Sequence, residues 1–183
     1  SLAAMIDHRN EVSSDHIITI EDPIEFLHAN KRSIVNQREI GADTRSYERA
    51  LRSAMRAAPD VILIGEIRDR ETMQSAINLA GTGHLVLATL HANNSAETMD
   101  RIINMFPQDQ HNQIFLDLSQ YLRAIMAQRL VMGIDSRRVA AIEVMLNTPH
   151  IAELIRKGDI MAMKESIRAS SERGVQSFDT SLF

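Results

Sequence analysis

Acidic side chains and one histidine follow three apolar segments of this 183-residue sequence. They are Glu21, Asp22 and Glu25 after the first segment, Glu66 after the second, and His91 after the third. Carboxylates and an imidazole can orient a water molecule and compensate charge, so this set suits metal-assisted hydrolysis or phosphoryl transfer. Such chemistry requires the ends of the three segments to lie together.

The same residues also have simple structural explanations. Asp22-Pro23 can be an acidic turn that ends a strand, and Glu66 can follow a buried strand without a chemical role. A histidine at a strand end is commonly hydrogen-bonded or exposed. His84 and His91 lie an odd number of positions apart, so a regular strand would direct them to opposite faces, which speaks against a shared metal ion.

The spacing of apolar residues predicts the elements that would position these side chains. Runs that are β-branched or wholly apolar predict strands at residues 16–21, 61–64, 84–90 and 139–146. Helical periodicity predicts helices at residues 45–58, 69–80, 96–105 and 110–130. Asp69 and the Asn93-Asn94-Ser95 run are expected to cap two of these helices at their N-termini.

Strands that alternate with helices of this length indicate an α/β fold with a mostly parallel sheet flanked by helices, because parallel neighbours need a crossover. In such sheets ligands bind outside the carboxyl ends of the strands, where the acidic residues and His91 would meet. We interpret residues 1–147 as this domain and residues 148–183, whose pattern is helical around Gly158, as a small C-terminal region.

Composition excludes several classes of function. The formal net charge is −4, and only 4% of residues are aromatic, so the chain offers neither the basic field nor the stacking surface of a nucleic-acid-binding protein. No apolar run approaches the length that would insert into a membrane. The absence of cysteine from the sequence excludes disulfides and cysteine-based metal sites, and it fits a cytoplasmic protein.

Three long motifs resemble those of the secretion ATPase superfamily, in its type IV pilus retraction (twitching motility) branch. They are an acidic box at residues 17–26 (IITIEDPIEF), a Walker B region at 59–72 (PDVILIGEIRDRET) and a histidine box at 82–94 (TGHLVLATLHANN). Shorter matches flank them at residues 35–41, 96–107 and 142–149. The resemblance covers essentially the whole chain, and it implies a RecA-like P-loop ATPase core that uses ATP and Mg²⁺.

Within that branch, the amino-acid sequences of residues 1–10, 87–94 and 142–149 resemble the PilU type more than the PilT type. Pilus-assembly and type II secretion ATPases usually carry a four-cysteine zinc module after the helix equivalent to residues 119–130. Here that place holds only MGIDSRR, which favours the retraction branch.

In this family, the helix that begins at Leu2 follows a G-x-x-x-x-G-K-[ST] loop, the Walker A motif, whose N–H groups cradle phosphates. The pattern does not occur in the 183 residues. The resemblance therefore implies a core that starts just after its phosphate loop and lacks the N-terminal domain. We expect this chain alone to bind ATP weakly and not to hydrolyse it, and micromolar affinity in calorimetry would contradict that.

The resemblance implies a role for each matching residue. Glu25 is similar to the glutamate that activates the attacking water, and Glu66 to the Walker B acid that holds Mg²⁺ through a water molecule. Asp22 would orient this cluster.

Nucleotide sensing and subunit contacts are implied for a second group of residues. His91, His84 and Thr89 would respond to the state of the γ-phosphate. Arg68 and Asp69, which follow Glu66 closely, are candidates for contact with a neighbouring protomer.

Members of the family act as homo-hexamers at the cytoplasmic side of the inner membrane, beneath a platform protein of the pilus machinery. The resemblance implies these partners, a PilT-type partner ATPase, and coupling of ATP hydrolysis to pilus retraction. Two alternatives remain open: a pilus-assembly or type II secretion ATPase of the same fold, and a non-catalytic module that docks on a partner motor.

Overall fold

A computed structural model describes residues 1–170 and 172–182. Contacts divide the chain into two units, Ser1–Leu90 and His91–Phe183. This division lies elsewhere than the predicted boundary between residues 147 and 148, which stays a prediction.

The first unit alternates helices with short strands. Its elements are α1 (Leu2–Val12), β1 (His16–Glu21), β2 (Ile34–Glu39), α2 (Tyr47–Arg56), β3 (Val61–Ile64), α3 (Arg70–Gly81) and β4 (Leu85–Ala88). The strands form a wholly parallel sheet in the order β2-β1-β3-β4. The three strands predicted in this part of the chain are therefore neighbours that run in one direction, and the α/β prediction is confirmed.

The core of this unit explains why β3 is wholly apolar and why the four inner residues of β1, Ile17 to Ile20, are all buried. On one face, Ile17, Val61 and Leu63 cluster with Ile6 of α1. The alternate positions, Ile18, Ile20, Ile62 and Ile64, are also buried, with at most 1% of each residue exposed. Strands that are covered on both faces carry continuous apolar runs, as parallel strands usually do.

The second unit combines helices with a long hairpin. Its elements are α4 (Ser95–Asn104), a 3₁₀ turn (Gln108–Gln110), α5 (His111–Tyr121), β5 (Ala124–Met132), β6 (Arg138–Leu146), α6 (Pro149–Lys157), α7 (Ile160–Ala169) and α8 (Phe178–Ser181). Strands β5 and β6 pair antiparallel over nine residues each. Gly158 ends α6 in the left-handed conformation, with φ at 70°, which a residue without Cβ adopts at no steric cost.

Two elements differ from the prediction. The helix predicted at residues 110–130 ends at Tyr121, and its second half is β5, where Ile125 and Ala127 are buried between exposed neighbours. Alternation of buried and exposed residues has the two-residue period of a strand, and pairing with β6 stabilises the extended conformation of this segment. Strand β2 was not predicted because its sequence, IVNQRE, is mostly polar and only Val35 is buried.

No helix among the described residues is both long enough and apolar enough to cross a membrane.

Candidate functional site

The carboxyl edge of the sheet gathers the ends of β1, β3 and β4 in one row. In the register of the sheet, Ile20 lies beside Ile64, and Ile64 lies beside Ala88. The residues that follow are joined by further hydrogen bonds, since Gly65 N–H donates to Ile20 O at 2.8 Å and the Thr89 hydroxyl donates to Gly65 O. Thr89 therefore lies at this edge, and its role in nucleotide sensing stays a prediction.

Gly65 allows β1 and β3 to approach closely at this edge. A Cβ atom on Gly65 would lie 3.2 Å from Glu21 Cα and 3.3 Å from Ile20 O, both of them backbone atoms. Contacts as short as these would require the backbone at the end of β1 to move. Close packing of β1 against β3 thus explains the glycine at position 65, independently of any catalytic role.

An arginine joins two of the predicted acidic residues. Arg68 Nε donates to Glu66 Oε2 at 2.7 Å, and Arg68 Nη1 lies 3.5 Å from Asp22 Oδ2. The hydrogen bond to Glu66 raises the pKa of the Arg68 guanidinium above its usual value. The acidic box and the Walker B region therefore meet at one positively charged side chain, that of Arg68.

Tyr47, at the start of α2, completes this cluster. Its hydroxyl would lie 3.4 Å from a Cβ on Gly65, so the phenol lies over the turn between β3 and Glu66. Burial and the nearby charge of Asp22 raise the pKa of Tyr47, while a hydrogen bond with the Glu66 backbone opposes the rise. Tyr47 lies within the helix predicted at residues 45–58, and no pattern in the sequence indicated a place in the site.

Glu25 lies in an exposed segment that follows the cis Asp22–Pro23 peptide bond. The neighbouring Glu21 accepts from the Thr19 hydroxyl at 2.6 Å and from Gln37 Nε2 at 3.3 Å. The carboxylate of Glu21 is thus held by side chains of β1 and β2, and Gln37 is a further residue of this edge that sequence reasoning missed.

Two of the predicted site residues, His84 and Asp69, have other positions or contacts in the structure. His84 precedes β4, at the amino end of that strand, and its Nδ1 is 3.1 Å from both Leu79 O and the Thr82 hydroxyl. Asp69 is the N-cap of α3, where its side chain accepts from Thr72 N–H at 2.8 Å. Their predicted roles in nucleotide sensing and subunit contact stay predictions.

His91 begins the second unit, and the turn after it is tightly held there. Asn93 donates to the Glu97 carboxylate from its backbone and its side chain, at 3.0 and 2.9 Å, which lowers the pKa of Glu97. Arg129 Nε donates to Asn93 O, and the buried Glu143 accepts from Ser95 N–H at 2.7 Å. These bonds fix the backbone between His91 and α4.

The donor chemistry of the edge suits a hard cation that is shared with another ligand. Carboxylate oxygens of Asp22 and Glu66 are the ligands that Mg²⁺ prefers, and Mg²⁺ usually takes only one or two of them together with waters and phosphates. Among residues 1–170 and 172–182, no three His, Cys, Asp or Glu side chains form a cage for a metal ion.

Comparison with known proteins gives matches over nearly the whole chain. The pattern of the type II/IV secretion system protein family matches residues 1–180. The type IV pilus ATPase PilU of Pseudomonas aeruginosa is 55% identical over 184 aligned residues, which cover 100% of this chain and 48% of that protein. The type IV pilus retraction ATPase PilT of the same organism is 44% identical, with 100% of this chain and 53% of that protein covered.

A solved structure agrees with these matches. The crystal structure of the pilus retraction motor PilT with bound ADP superposes with a TM-score of 0.85 at 42% identity, and the alignment covers 99% of this chain and 55% of that one. The chain thus spans about half the length of the relatives that it matches.

Proposed function

Because this chain belongs to the type II/IV secretion system protein family, we propose that it is the hydrolytic part of a PilU-type retraction ATPase of type IV pili. One observation of the site carries the proposal. Asp22 and Glu66, from separate elements, are brought to one cation at the carboxyl edge of a parallel sheet, where such folds bind ligands. The 55% identity to PilU over the full chain favours that type.

In the proposed reaction, water attacks the γ-phosphorus of ATP, the bond from that phosphorus to the bridging oxygen breaks, and ADP leaves. Glu25 accepts a proton from the attacking water, and Glu66 is the residue that would hold Mg²⁺. Asp22 and Arg68 fix the orientation of Glu66 through the ion pairs described above. When bound, Mg²⁺ would supply positive charge beside the phosphate oxygens.

Thr89, His91 and His84 are the proposed sensors of the nucleotide. Of these three residues, Thr89 is connected to Glu66 by a short path, since its hydroxyl donates to the carbonyl of Gly65, directly before Glu66. Asp69 and Arg68 are proposed contacts with a neighbouring protomer. The proposed assembly is a cytoplasmic homo-hexamer that works with a PilT-type ATPase and an inner-membrane platform protein.

The proposal is tested on the full-length gene product by replacing the metal-side acid. We expect Glu66→Ala to lower ATP hydrolysis by about 100-fold or more while ATP binding persists, because the substitution removes a group that acts in the chemical step. Glu48→Ala is the matched control, since Glu48 pairs with Arg52 on the exposed face of α2. Unchanged turnover in Glu66→Ala would overturn the assignment.

The direction of the motor is tested in the cell. Deletion of a retraction ATPase leaves pili in excess, whereas deletion of an assembly ATPase removes them. Loss of surface pili in the deletion strain would replace the proposed function with the assembly alternative.

A further inference from the structure

The segment that carries Glu25 is bonded to side chains of the edge strand β2. Glu39 Oε2 accepts from the backbone N–H of Ile24 at 2.9 Å. Gln37 Nε2 donates to Phe26 O at 2.8 Å, and Gln37 Oε1 accepts from the backbone N–H of His28 at 2.8 Å. The bonded backbone groups belong to the residues directly before and directly after Glu25, and to a third residue two positions further on.

The two β2 side chains reach the segment together because they are two positions apart. Residues at i and i+2 of a strand point to the same face of the sheet. In the parallel register, Gln37 lies beside Thr19 of β1 and Glu39 lies beside Glu21. Both side chains are therefore placed by the pairing of β1 with β2, next to the end of β1 from which the segment departs.

We propose that Gln37 and Glu39 are positioning residues that hold Glu25 in place for its reaction with the attacking water. This inference rests on the proposed function, in which Glu25 is the general base. A base must lie within hydrogen-bond reach of its proton, and an error of about 1 Å can cost about 100-fold in rate. Glu25 is on an exposed segment, and side-chain bonds to the residues on both sides of it limit that error.

Gln37 has the chemistry that its position requires. One side of its amide donates and the other accepts, so a single side chain satisfies both Phe26 O and His28 N–H. A glutamate at this place would keep the acceptor and lose the donor. A methionine of similar length would lose both bonds and would add no charge beside Glu21, whose Oε1 lies 3.3 Å from Gln37 Nε2.

The kinetic test uses the full-length gene product with ATP and Mg²⁺. We expect Gln37→Met to lower kcat by about 10- to 100-fold with little change in KM, and Gln37→Glu to lower it at least as far, because its carboxylate would face that of Glu21. Asn36→Ala is the control on the same strand, because Asn36 contacts His16 at the other end of β1. A Gln37→Met enzyme with wild-type kcat would overturn the proposal.

A double-mutant cycle separates positioning from general structural support. If Gln37 acts through Glu25, then Gln37→Met should lower kcat no further once Glu25→Gln is present. Additive losses, with Glu25→Gln itself strongly impaired, would overturn the positioning role and leave the proposed function standing. Full activity in Glu25→Gln would remove the proposed role of Glu25, and the positioning role would fall with it.

Hydrogen exchange gives a readout that does not depend on hydrolysis. Glu39→Ala should speed exchange at the amide of Ile24, and Gln37→Met should speed exchange at the amide of His28, while amides of β1 and β3 keep their protection. Unchanged exchange at both amides would show that the bonds do not hold the segment, and it would overturn the proposal.

Discussion

Arg68 donates from Nε to the carboxylate of Glu66, two residues earlier in the chain, at 2.7 Å. The same guanidinium reaches Asp22 at 3.5 Å. One guanidinium thus bridges two carboxylates that the sequence places 44 residues apart, in the acidic box and the Walker B region. A cation at this position keeps two like charges close to each other at the carboxyl edge of the sheet.

Substitution of Arg68 should impair hydrolysis in a graded manner. Lysine keeps the charge but offers no planar fork, so it cannot hold both carboxylates in the same geometry. We expect Arg68→Ala to lower kcat by about tenfold and Arg68→Lys to give an intermediate rate, as measured by phosphate release from the full-length protein. Arg52→Ala, on the exposed face of α2, is the control. Normal kcat in Arg68→Ala with loss of hexamers would instead favour the subunit contact inferred from the sequence.

The phenol of Tyr47 should titrate at unusually high pH. A free phenol ionises near pH 10, and burial together with the charge of Asp22 raises the pKa of Tyr47 above that value. In Tyr121→Phe, Tyr47 is the sole tyrosine, and ultraviolet difference spectroscopy should show it ionising later in the folded protein than in urea.

The same shift has a consequence for stability. The contribution of Tyr47 is complete below about pH 10 and is lost as pH rises through the raised pKa of the folded state, because the unfolded chain releases the proton first. Tyr47→Phe should therefore make the alkaline loss of stability less steep. Titration of Tyr47 at its ordinary pKa in the folded protein would contradict both expectations.

Removal of the Asn10 side chain should destabilise the first unit. Asn10 is fully buried in α1, where Nδ2 donates to Ala29 O at 2.7 Å and Oδ1 accepts from Lys31 N–H at 3.0 Å. Asn10→Ala would leave both groups unpaired, at about 1–3 kcal/mol each. We expect the free energy of unfolding in urea to fall by about 2–4 kcal/mol.

Asp7→Asn provides the matched comparison on the same helix. Asp7 forms an exposed ion pair with Lys31, and exposed pairs are screened by water and salt. Its effect on the urea midpoint should be much smaller than that of Asn10→Ala. Equal effects would mean that burial of the amide is not what matters.

A methyl group on Gly65 should disturb the edge of the sheet. The nearest atoms to its Cβ would be Glu21 Cα and Ile20 O, at 3.2 and 3.3 Å, and backbone atoms cannot rotate away. We expect Gly65→Ala to cost about 1–3 kcal/mol of stability, measured by thermal or urea unfolding. Addition of Tyr47→Phe should not rescue it, and rescue would identify the phenol hydroxyl as the true obstacle.

Much of the sheet could be predicted from sequence because its central strands are covered on both faces. The bounds of β1 and β3 agree with the apolar runs at 16–21 and 61–64, and Asp69 caps α3 as expected. Strand β2 could not be found in this way, since an edge strand with exposed positions has no continuous apolar signal. The predicted helix at 110–130 failed because its second half gains its structure from pairing with a distant strand.

For the site, the sequence indicated which acids end the strands but not what holds them. Asp22 and Glu66 were expected to meet, and the structure brings both to Arg68. The contributions of Tyr47, Gln37 and Glu39 depend on which segments become neighbours in three dimensions, and residue spacing along one chain does not contain that information.

The hydroxyl of Thr89 donates to the carbonyl of Gly65, and the backbone N–H of Ile67 donates to Thr89 O at 3.0 Å. Two hydrogen bonds from one residue at the end of β4 thus hold the backbone on both sides of Glu66. A displacement of Thr89 would therefore be transmitted to the backbone that carries Glu66.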